Sequence, residues 1–365
     1  MKPFKIYAEL VEQAALDQFH DAMSQPFVVR GALMPDAHAG YSLPIGAVVA
    51  TDNFVVPSWV GYDIGCGMCA VKTTFGLTEV KQNASAIFEA IYAAIPTGFA
   101  HNAKETSWPD ADLLPTTKAT REIFDKNGLR QLGSLGSGNH FIEVGVDERY
   151  DVWVVIHSGS RGIGHAVASH YMRKASPDGK PREGHFGFAA DSQDGSDYIT
   201  DVKFCLEFAL KNRLTMIERV VEVLSRYSNG GAEWHTLINR NHNHVELRDG
   251  MWVHRKGATH AETGMGGVIP GNMLDGSFIV IGRGNADALW SSSHGAGRVL
   301  GRKEAKRVLD LGEFEATMRG VTAKVDDSTL DESPLAYKDI HEVMRQQADL
   351  VEVIAHVKTI INIKA

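Results

Sequence analysis

The stretch VWVVIHSGSRGIGH, residues 152–165, joins a run of apolar, mostly β-branched residues to a loop of small and polar ones. The apolar run predicts a buried strand, and the glycines and serines after it predict a loop. Strand ends are common places for ligands and catalytic groups. The stretch therefore predicts a strand that presents His157 at its end and a loop that carries Arg161. On this stretch alone, a hydrogen-bonded core histidine explains His157 equally well.

Outward from this stretch, the sequence mixes strand and helix patterns. Apolar and β-branched runs predict further strands at 45–51, 68–75 and 277–284. Apolar residues three and four positions apart predict helices at 78–95, 116–127, 196–228, 302–311 and 339–357. Because the two kinds of element do not alternate strictly, we expect an α+β fold rather than a doubly wound parallel sheet. A Gly-, Pro-, Asp- and Ser-rich segment, 174–197, predicts a surface excursion or a lid.

Composition narrows the classes of protein. The chain has 365 residues, of which 44% are hydrophobic, so it can bury a sizeable core. The formal net charge of −8 argues against a general nucleic-acid coat, and RNA would bind only through a local basic patch. Three cysteines are too few for a disulfide framework and favour the cytoplasm. We expect no signal peptide and no membrane partner.

A second polar stretch, VGYDIGCGMCA, holds two candidate metal ligands. Asp63 and Cys66 lie three residues apart, and the glycines between and around them allow the backbone to fold both toward one point. A turn-forming aspartate and a buried structural cysteine explain the stretch better when it is taken alone. We expect Cys69, at the start of a strand-like run, to point into the core.

Two more stretches add histidines at loop and strand boundaries. In LGSLGSGNHFIEV, Asn139 and His140 follow a glycine–serine loop that could offer backbone N–H groups to phosphate oxygens. In NRNHNHVEL, His242 and His244 alternate, so both would point the same way on a regular strand. The pair could chelate a metal, or one of the two could simply face a polar cleft.

Together these clusters predict a phosphate-handling metal site. Aspartate, cysteine and three histidines could hold one divalent ion, or two ions bridged by the thiolate, as in many phosphoryl-transfer sites. The stretch SSSHGAGR presents a further histidine, His294, between small and polar residues. Four basic residues could form the local phosphate-binding patch: Arg161, Lys256, Arg298 and Arg302.

These motifs, in this order, resemble the RtcB family of GTP-dependent RNA-splicing ligases, of which the chain would be a short member. The resemblance covers nearly the whole length as one domain, residues 1–365. It rests on MPDAHAGYSLPIGAV, GYDIGCGM, GSLGSGNHFIEV, HSGSRGIG, HN at 242–243, RKGAT, IPGNM, SSSHGAGR and the C-terminal IKA. It implies an RtcB-like fold, in which central twisted mixed or antiparallel sheets are flanked by helices and the active site lies at strand ends and loops.

The resemblance also implies an activity and its residues. Such ligases join RNA ending in a 2′,3′-cyclic phosphate or 3′-phosphate to RNA with a 5′-OH, through a guanylylated histidine and an RNA(3′)pp(5′)G intermediate, in RNA repair or tRNA splicing. They use GTP and Mn²⁺, with two ions expected, and an archease-type activator is a possible partner. His294 matches the guanylylated nucleophile. The residues that match the metal ligands are Asp63, Cys66, His140, His157 and His242. His242 is chosen over His244 because the HN pair of the family aligns at 242–243. The residues that match nucleotide contacts are Asn139, Glu143, Ser277 and Lys364, and those that match RNA phosphate contacts are Arg161, Lys256, Arg298 and Arg302.

Two other functions fit parts of the pattern. A metal-dependent phosphoesterase would keep the metal ligands and open cyclic phosphates without joining RNA, but it would not need His294 or Lys364. A non-catalytic RNA-binding protein would not need Asp63, Cys66 and His157 together, and it would more often be basic.

Overall fold

Strands and helices follow one another along the chain without strict alternation. The structure is a computed structural model, and it describes residues 2–364. Met1 and Ala365, the last residue of the IKA motif, lie outside the described residues. The strands, β1 to β17, are Phe4–Ile6, Val28–His38, Ile45–Thr51, Phe54–Val55, Gly67–Thr73, Phe141–Val146, Val152–Ser158, Phe188–Ala189, Ile238–Asn241, Asn243–Arg248, Met251–Lys256, Ala258–His260, Gly266–Pro270, Ser277–Gly282, Ser291–Ser293, Thr322–Ala323 and Val351–Lys364. The helices, α1 to α10, are Gln13–Ser24, Pro57–Val60, Leu77–Gln82, Ala84–Ala94, Lys118–Gln131, Arg161–Ala175, Gln193–Leu224, Arg302–Val308, Leu311–Thr317 and Ile340–Gln346.

An eight-stranded sheet forms the centre of the fold. Its order is β13-β14-β17-β6-β7-β5-β9, with β16 beside β17. The ladders are antiparallel except for the parallel pair β16–β17. The register pairs Gly67 with Ser158 and Phe141 with His157, so the start of β5, the start of β6 and the end of β7 meet at one edge. This edge carries most of the candidate metal ligands.

A five-stranded sheet, β1-β2-β3-β11-β10, completes the core together with the helices. Its buried side chains pack with those of β13, β14 and α10 in one hydrophobic cluster. The long helix α7 and helix α4 contribute buried aliphatic side chains to the cluster under β5, β6 and β7. The mixed α+β architecture expected from the sequence is confirmed. Among the described helices, none is long and apolar enough to cross a bilayer.

The predicted strands are all present, and most predicted helices are, with one clear error. Residues 339–357 were expected to be a single helix, but the helix ends at Gln346 and β17 begins at Val351. The second half of that stretch lies between β14 and β6 in the sheet, and hydrogen bonding to both strands makes it a strand. The helical spacing of its apolar residues therefore does not determine its structure. The predicted helix 78–95 is two helices that meet at Asn83.

The segment 174–197, predicted to be an excursion or a lid, is only partly irregular. Helix α6 continues to Ala175, β8 pairs with β4, and α7 begins at Gln193. The irregular part folds back on the body of the protein. There the Gly184 carbonyl accepts a hydrogen bond from the Ser58 hydroxyl, and His185 Nδ1 lies 3.1 Å from Trp59 Nε1.

Candidate active site

Four of the five predicted metal ligands converge directly at the edge of the central sheet. Cys66 Sγ lies 3.4 Å from His140 Nε2 and 3.2 Å from His157 Nε2. His157 Nε2 lies 3.2 Å from His242 Nε2. All four side chains are buried. The fifth, Asp63, places Oδ2 2.9 Å from His140 Nε2.

The contacts of these side chains suit a bound cation. His140 Nδ1 is 2.9 Å from the Leu135 carbonyl oxygen, which can only accept, so Nδ1 carries a proton. Its Nε2 faces the Asp63 carboxylate and the Cys66 sulfur. The His157 and His242 nitrogens likewise face each other. Imidazole, thiol and carboxylate groups around one point suit a divalent ion, and the contact of His140 Nδ1 with a backbone carbonyl is typical of metal-binding histidines.

Burial shifts the pKa values of three side chains in the cluster. Burial lowers the pKa of both His157 and His242 well below the ordinary value, so both are neutral at neutral pH. Burial and then the Asp63 carboxylate raise the pKa of the Cys66 thiol well above its ordinary value. A bound cation reverses this effect, because a coordinated thiol is deprotonated. These side chains are therefore better suited to coordinate a divalent metal than to form hydrogen bonds with one another.

Local backbone geometry brings Asp63 and Cys66 to this point. They flank a turn between α2 and β5, in which the Cys66 amide donates to the Asp63 carbonyl at 3.1 Å. Gly159, at the end of β7, makes room for Asp63, because a Cβ there would lie 2.2 Å from Asp63 Oδ1. A glycine in the loop after His157 is therefore needed for the close approach of the Asp63 side chain to the backbone at Gly159.

A buried arginine that the sequence analysis did not identify, Arg213 on α7, holds the site together. Its guanidinium donates to the carbonyls of Gly65 and Ser158, both at 2.8 Å, and to the amide oxygens of Asn239 and Asn241, both at 2.7 Å. It therefore ties the Asp63–Cys66 turn to the end of β7 and to β9. Helical spacing marks Arg213 only as one polar residue of a long helix, so the sequence gives no signal of this role.

The structure separates the two alternating histidines. His242 lies between β9 and β10, where its amide donates to the Cys66 carbonyl at 2.7 Å and its ring faces His157. His244 is part of β10, and its Nε2 lies 3.0 Å from Arg255 Nη1, while its ring stacks on His260. The expectation that both point the same way is wrong, because the strand pairing is interrupted at His242.

His294 stands beside this cluster, with its ring centre 4.8 Å from that of His242. Its Nδ1 lies 2.6 Å from Asp36 Oδ2, and its amide donates to the same oxygen at 3.1 Å. Because a carboxylate accepts, Nδ1 carries the proton and Nε2 is the nitrogen available for reaction. Asp36, fully buried, was not singled out from the sequence, although it lies in the MPDAHAGYSLPIGAV motif.

The small residues around His294 have specific roles. Gly297 has a φ of +76°, and a Cβ there would lie 2.2 Å from the Asp36 carbonyl oxygen. The Ser293 amide donates at 2.9 Å to the side chain of Gln347, which is fully buried. Glycine at 297 therefore lets the chain pass close to Asp36, and the buried contacts fix the end of β15 from which His294 projects.

Three predicted basic residues converge on one acidic group, Glu332. Arg298 Nη1 lies 3.3 Å from Glu332 Oε1, and both Arg302 and Lys364 form ion pairs with the same carboxylate. Burial acts to raise the pKa of Glu332, but Lys364 and Arg302 outweigh it and hold the pKa at about 2. Glu332, like Arg213 and Asp36, was not identified from the sequence. Its negative charge neutralises part of the positive charge of Arg298, Arg302 and Lys364, and its ion pairs orient these three side chains.

The other predicted residues lie around this centre. Lys256 Nζ is 3.3 Å from Glu183 Oε2, on the irregular segment after α6, and 3.2 Å from the Ser58 carbonyl oxygen. Arg161 donates to the Ser134 hydroxyl at 3.1 Å and to the Gly98 carbonyl at 2.7 Å.

Glu143 and Ser277 are buried, and burial raises the pKa of Glu143 to about 8. Glu143 Oε1 and Ser277 Oγ lack a hydrogen-bond partner among residues 2–364. Glu143 is the cross-strand neighbour of Asn362, whose Oδ1 is unpartnered within the same residues.

Three openings surround the cluster, and Asn139 contributes to each. The His294 cavity is lined by His294, Arg298, Arg302, Tyr337, Asn362 and Lys364. The Lys256 groove is lined by Lys256, Tyr41, Asp63, Cys66, His242 and His294. The Phe99 groove is lined by Phe99, Tyr62, His165, Arg161, Asp63 and His140.

Comparisons with known proteins identify similar chains. A family model described as tRNA-splicing ligase RtcB matches residues 18–126 and 114–365. The RNA-splicing ligase RtcB of Escherichia coli K12 is 35% identical, over 97% of this chain and 95% of that protein. The tRNA-splicing ligase RtcB of Nanoarchaeum equitans is 30% identical, over 95% of this chain and 92% of that protein. The similarity therefore extends over nearly the whole chain.

Proposed function

The chain belongs to the RtcB family and is an RNA ligase, and on that premise we propose that it joins 2′,3′-cyclic phosphate or 3′-phosphate ends to 5′-OH ends through a guanylylated His294. The observation that carries this proposal is the His294–Asp36 pair beside a cation-binding cluster. The carboxylate holds the proton on Nδ1, so Nε2 keeps its lone pair for attack on phosphorus.

In the first step, His294 Nε2 attacks the α-phosphorus of GTP, a nitrogen–phosphorus bond forms, and pyrophosphate leaves with the electron pair. A 2′,3′-cyclic phosphate end is first opened by water, which breaks the bond from phosphorus to the 2′-oxygen and leaves a 2′-OH and a 3′-phosphate. An oxygen of the RNA 3′-phosphate then displaces His294 from the α-phosphorus and takes over the GMP. Finally the 5′-oxygen attacks the RNA phosphorus, its proton passes to solvent, and GMP leaves with the electron pair. Asp36 keeps the ring in one tautomer and orientation in the first two steps, and it stabilises the positive charge that the ring acquires on attack.

Asp63, Cys66, His140, His157 and His242 would hold Mn²⁺, with two ions expected. The metal would neutralise the triphosphate and stabilise the leaving group. The fit rests on the imidazole, thiol and carboxylate groups that converge on one point.

The His294 cavity would hold the nucleotide. Lys364, Asn139, Glu143 and Ser277 are the proposed nucleotide contacts. Asn139, Asn362 and Lys364 line the cavity, where the unpartnered Oδ1 of Asn362 supports a polar ligand, whereas Glu143 and Ser277 are buried behind the lining. Arg298 and Arg302 reach the same cavity from the Glu332 side, where they would bind phosphates, as would Lys256 and Arg161 in the two grooves.

The proposal also includes two features of the cellular setting. An archease-type activator is implied by the family resemblance. A cytoplasmic location is suggested by three free thiols, those of Cys66, Cys69 and Cys205.

A joining assay tests the proposed function. The purified chain is incubated with Mn²⁺, GTP, one RNA ending in a 3′-phosphate and one with a 5′-OH, and the products are separated on a denaturing gel. We expect RNA(3′)pp(5′)G and a joined strand, both dependent on GTP. Opening of a cyclic phosphate without GTP and without joining would instead identify a phosphoesterase, and binding without either product would identify an RNA-binding protein.

Replacing Lys364 by methionine is expected to raise the KM for GTP by about tenfold to a hundredfold, the loss expected when a charge-assisted hydrogen bond is removed. Metal content should not change, because Lys364 lies outside the ligand cluster. Glu332 keeps its contacts with Arg298 and Tyr337, which limits the loss of stability. Lys358→Met, an exposed lysine on the same strand, is the matched control. An unchanged GTP affinity in the Lys364 variant would refute the contact.

A further inference from the structure

His38 is a histidine beside the active site that the proposed nucleotidyl transfer does not use. It is the last residue of β2, two positions after Asp36. Its Nδ1 lies 2.9 Å from the Asp36 carbonyl oxygen, which can only accept, so Nδ1 carries a proton. Burial lowers the pKa of His38 below its ordinary value, so the ring is neutral at neutral pH. Its Nε2 therefore keeps a lone pair.

One residue, Asp36, holds the rings of both His38 and His294. The Asp36 carbonyl oxygen contacts His38 Nδ1, and Asp36 Oδ2 lies 2.6 Å from His294 Nδ1. Among residues 2–364, the contact with Asp36 is the one hydrogen bond that the His38 ring makes. In both rings, Nδ1 is thus used for support and Nε2 is left for chemistry.

His38 stands where two openings meet, because it lines both the His294 cavity and the Lys256 groove. His294 and Arg298 line both openings as well. An RNA end that takes GMP from His294 must place its phosphate at this shared wall, since its oxygen attacks the phosphorus that His294 Nε2 holds. A cyclic phosphate that enters the same place would therefore be opened within reach of His38.

The Lys256 groove offers few other groups that could take a proton from water. Its three free carboxylates are each engaged in the described chain: Glu12 by the Ala39 amide, Glu183 by Lys256 and Glu304 by Arg307. His294 would carry GMP on its Nε2, and Asp63, Cys66 and His242 would be bound to metal. His38 is thus a neutral imidazole whose free nitrogen no other role occupies.

We propose that His38 is the general base that activates water for the opening of a 2′,3′-cyclic phosphate end. The inference rests on the proposed function, in which such an end is opened before it takes over GMP. The water oxygen bonds to phosphorus, and a water proton passes to His38 Nε2. The bond from phosphorus to the 2′-oxygen breaks, and that oxygen leaves with the electron pair and takes a proton from solvent. His38 then returns its proton to solvent, so the step consumes one water and no other reactant.

Two RNA ends separate this step from the later ones. One RNA ends in a 2′,3′-cyclic phosphate, and a second RNA of the same sequence ends in a 3′-phosphate. Each is mixed with the full-length chain, Mn²⁺, GTP and 5′-OH RNA, and mass spectrometry follows the 3′ ends over time. We expect His38→Asn to slow opening of the cyclic end by about 10²–10⁴-fold, the usual contribution of a general base. Joining of the 3′-phosphate end should stay within about threefold of wild type, because it needs no such proton transfer.

A second variant and a control keep the test independent of folding. His38→Asn retains an amide N–H that can donate to the Asp36 carbonyl, and His38→Gln extends an amide toward the position of Nε2. Neither amide can take a proton at neutral pH, so both variants should attach GMP to His294 and still fail to open the cyclic end. His20→Asn replaces an exposed histidine on α1 that lies outside the three openings, and it should open the cyclic end normally.

Each other outcome would overturn the inference. Opening at the wild-type rate in both variants would show that another group activates the water. Equal slowing of the two RNA ends, or a loss of GMP labelling, would mean that His38 only supports Asp36 and His294. A wild-type chain that joins the 3′-phosphate end but leaves the cyclic end closed would refute the inference alone. A wild-type chain that joins neither end would count against the proposed function, and the inference would fall with it.

Chemical rescue provides an independent check. His38→Ala leaves a space of the size of the missing ring, into which a free imidazole molecule can bind. Added imidazole should raise the rate at which this variant opens the cyclic end severalfold and should leave wild type and His20→Asn unchanged. No stimulation of a variant that has lost opening alone would mean that His38 orients the RNA end and does not take the proton.

Discussion

Replacing His294 by alanine is expected to abolish covalent attachment of GMP and, with it, RNA joining. His294 Nδ1 is occupied by Asp36 at 2.6 Å, so Nε2 is the nitrogen that can attack phosphorus, and alanine removes it. The measurement is incubation with α-labelled GTP and Mn²⁺, followed by denaturation and gel separation. In the wild-type chain, the label should be released by mild acid but survive alkali, as a phosphoramidate does.

The asparagine variant keeps this test independent of folding. The alanine variant leaves the fully buried Asp36 carboxylate without its ring partner, which costs about 1–3 kcal/mol of the free energy of unfolding. Asparagine can place an amide N–H where Nδ1 stood but has nothing at the Nε2 position. His294→Asn should therefore unfold close to the wild-type temperature and still carry no label. A labelled His294→Asn protein would show that another residue is the nucleophile.

Asp36→Asn provides a graded companion to the His294 variants. An amide can donate to Nδ1 as well as accept from it, so the ring is no longer held in one tautomer. By analogy with the aspartate of a catalytic triad, we expect the labelling rate to fall by about 10²–10⁴-fold while the metal stays bound. A labelling rate equal to that of the wild type would mean that Asp36 only supports the fold.

The convergence of the candidate metal ligands could largely be predicted from the sequence, because most of them lie at the ends of recognisable strands. Cys66, His140 and His157 each adjoin an apolar run, and antiparallel pairing of those runs brings them together. His242 was chosen over His244 from the family resemblance alone. Its place depends on a break in strand pairing that alternation of side chains along a strand does not foresee.

Residues that act by long-range contact escaped the sequence analysis. From the middle of α7, Arg213 donates hydrogen bonds to the turn before β5, the end of β7 and β9. Glu332 forms ion pairs with basic side chains that lie about thirty residues away in the sequence, such as Arg298 and Lys364. Nothing in their local pattern differs from that of ordinary helix or turn residues. The error at 339–357 has the same origin, because neighbouring strands, not local spacing, determine that β17 is a strand.

Replacing Cys66 by alanine is expected to remove metal binding and RNA joining together. Sγ lies 3.4 Å from His140 Nε2 and 3.2 Å from His157 Nε2, so the thiolate is the group that links Asp63 and His140 to the other two histidines. Loss of residues that merely support metal ligands costs about 10–100-fold in affinity, and loss of a direct ligand should cost at least that much. The measurements are Mn²⁺ titration followed by electron paramagnetic resonance and the joining assay at several Mn²⁺ concentrations.

Cys69→Ala is the matched control for this variant, because Cys69 is also a buried thiol but belongs to the apolar cluster under the central sheet. The same substitution there removes one sulfur from the core, so it should lower the free energy of unfolding but leave metal affinity and joining near wild type. Equal loss of metal in both variants would indicate general destabilisation. Full Mn²⁺ binding by Cys66→Ala would remove Cys66 from the ligand set, and the ions would then have to be held by Asp63 and the three histidines alone.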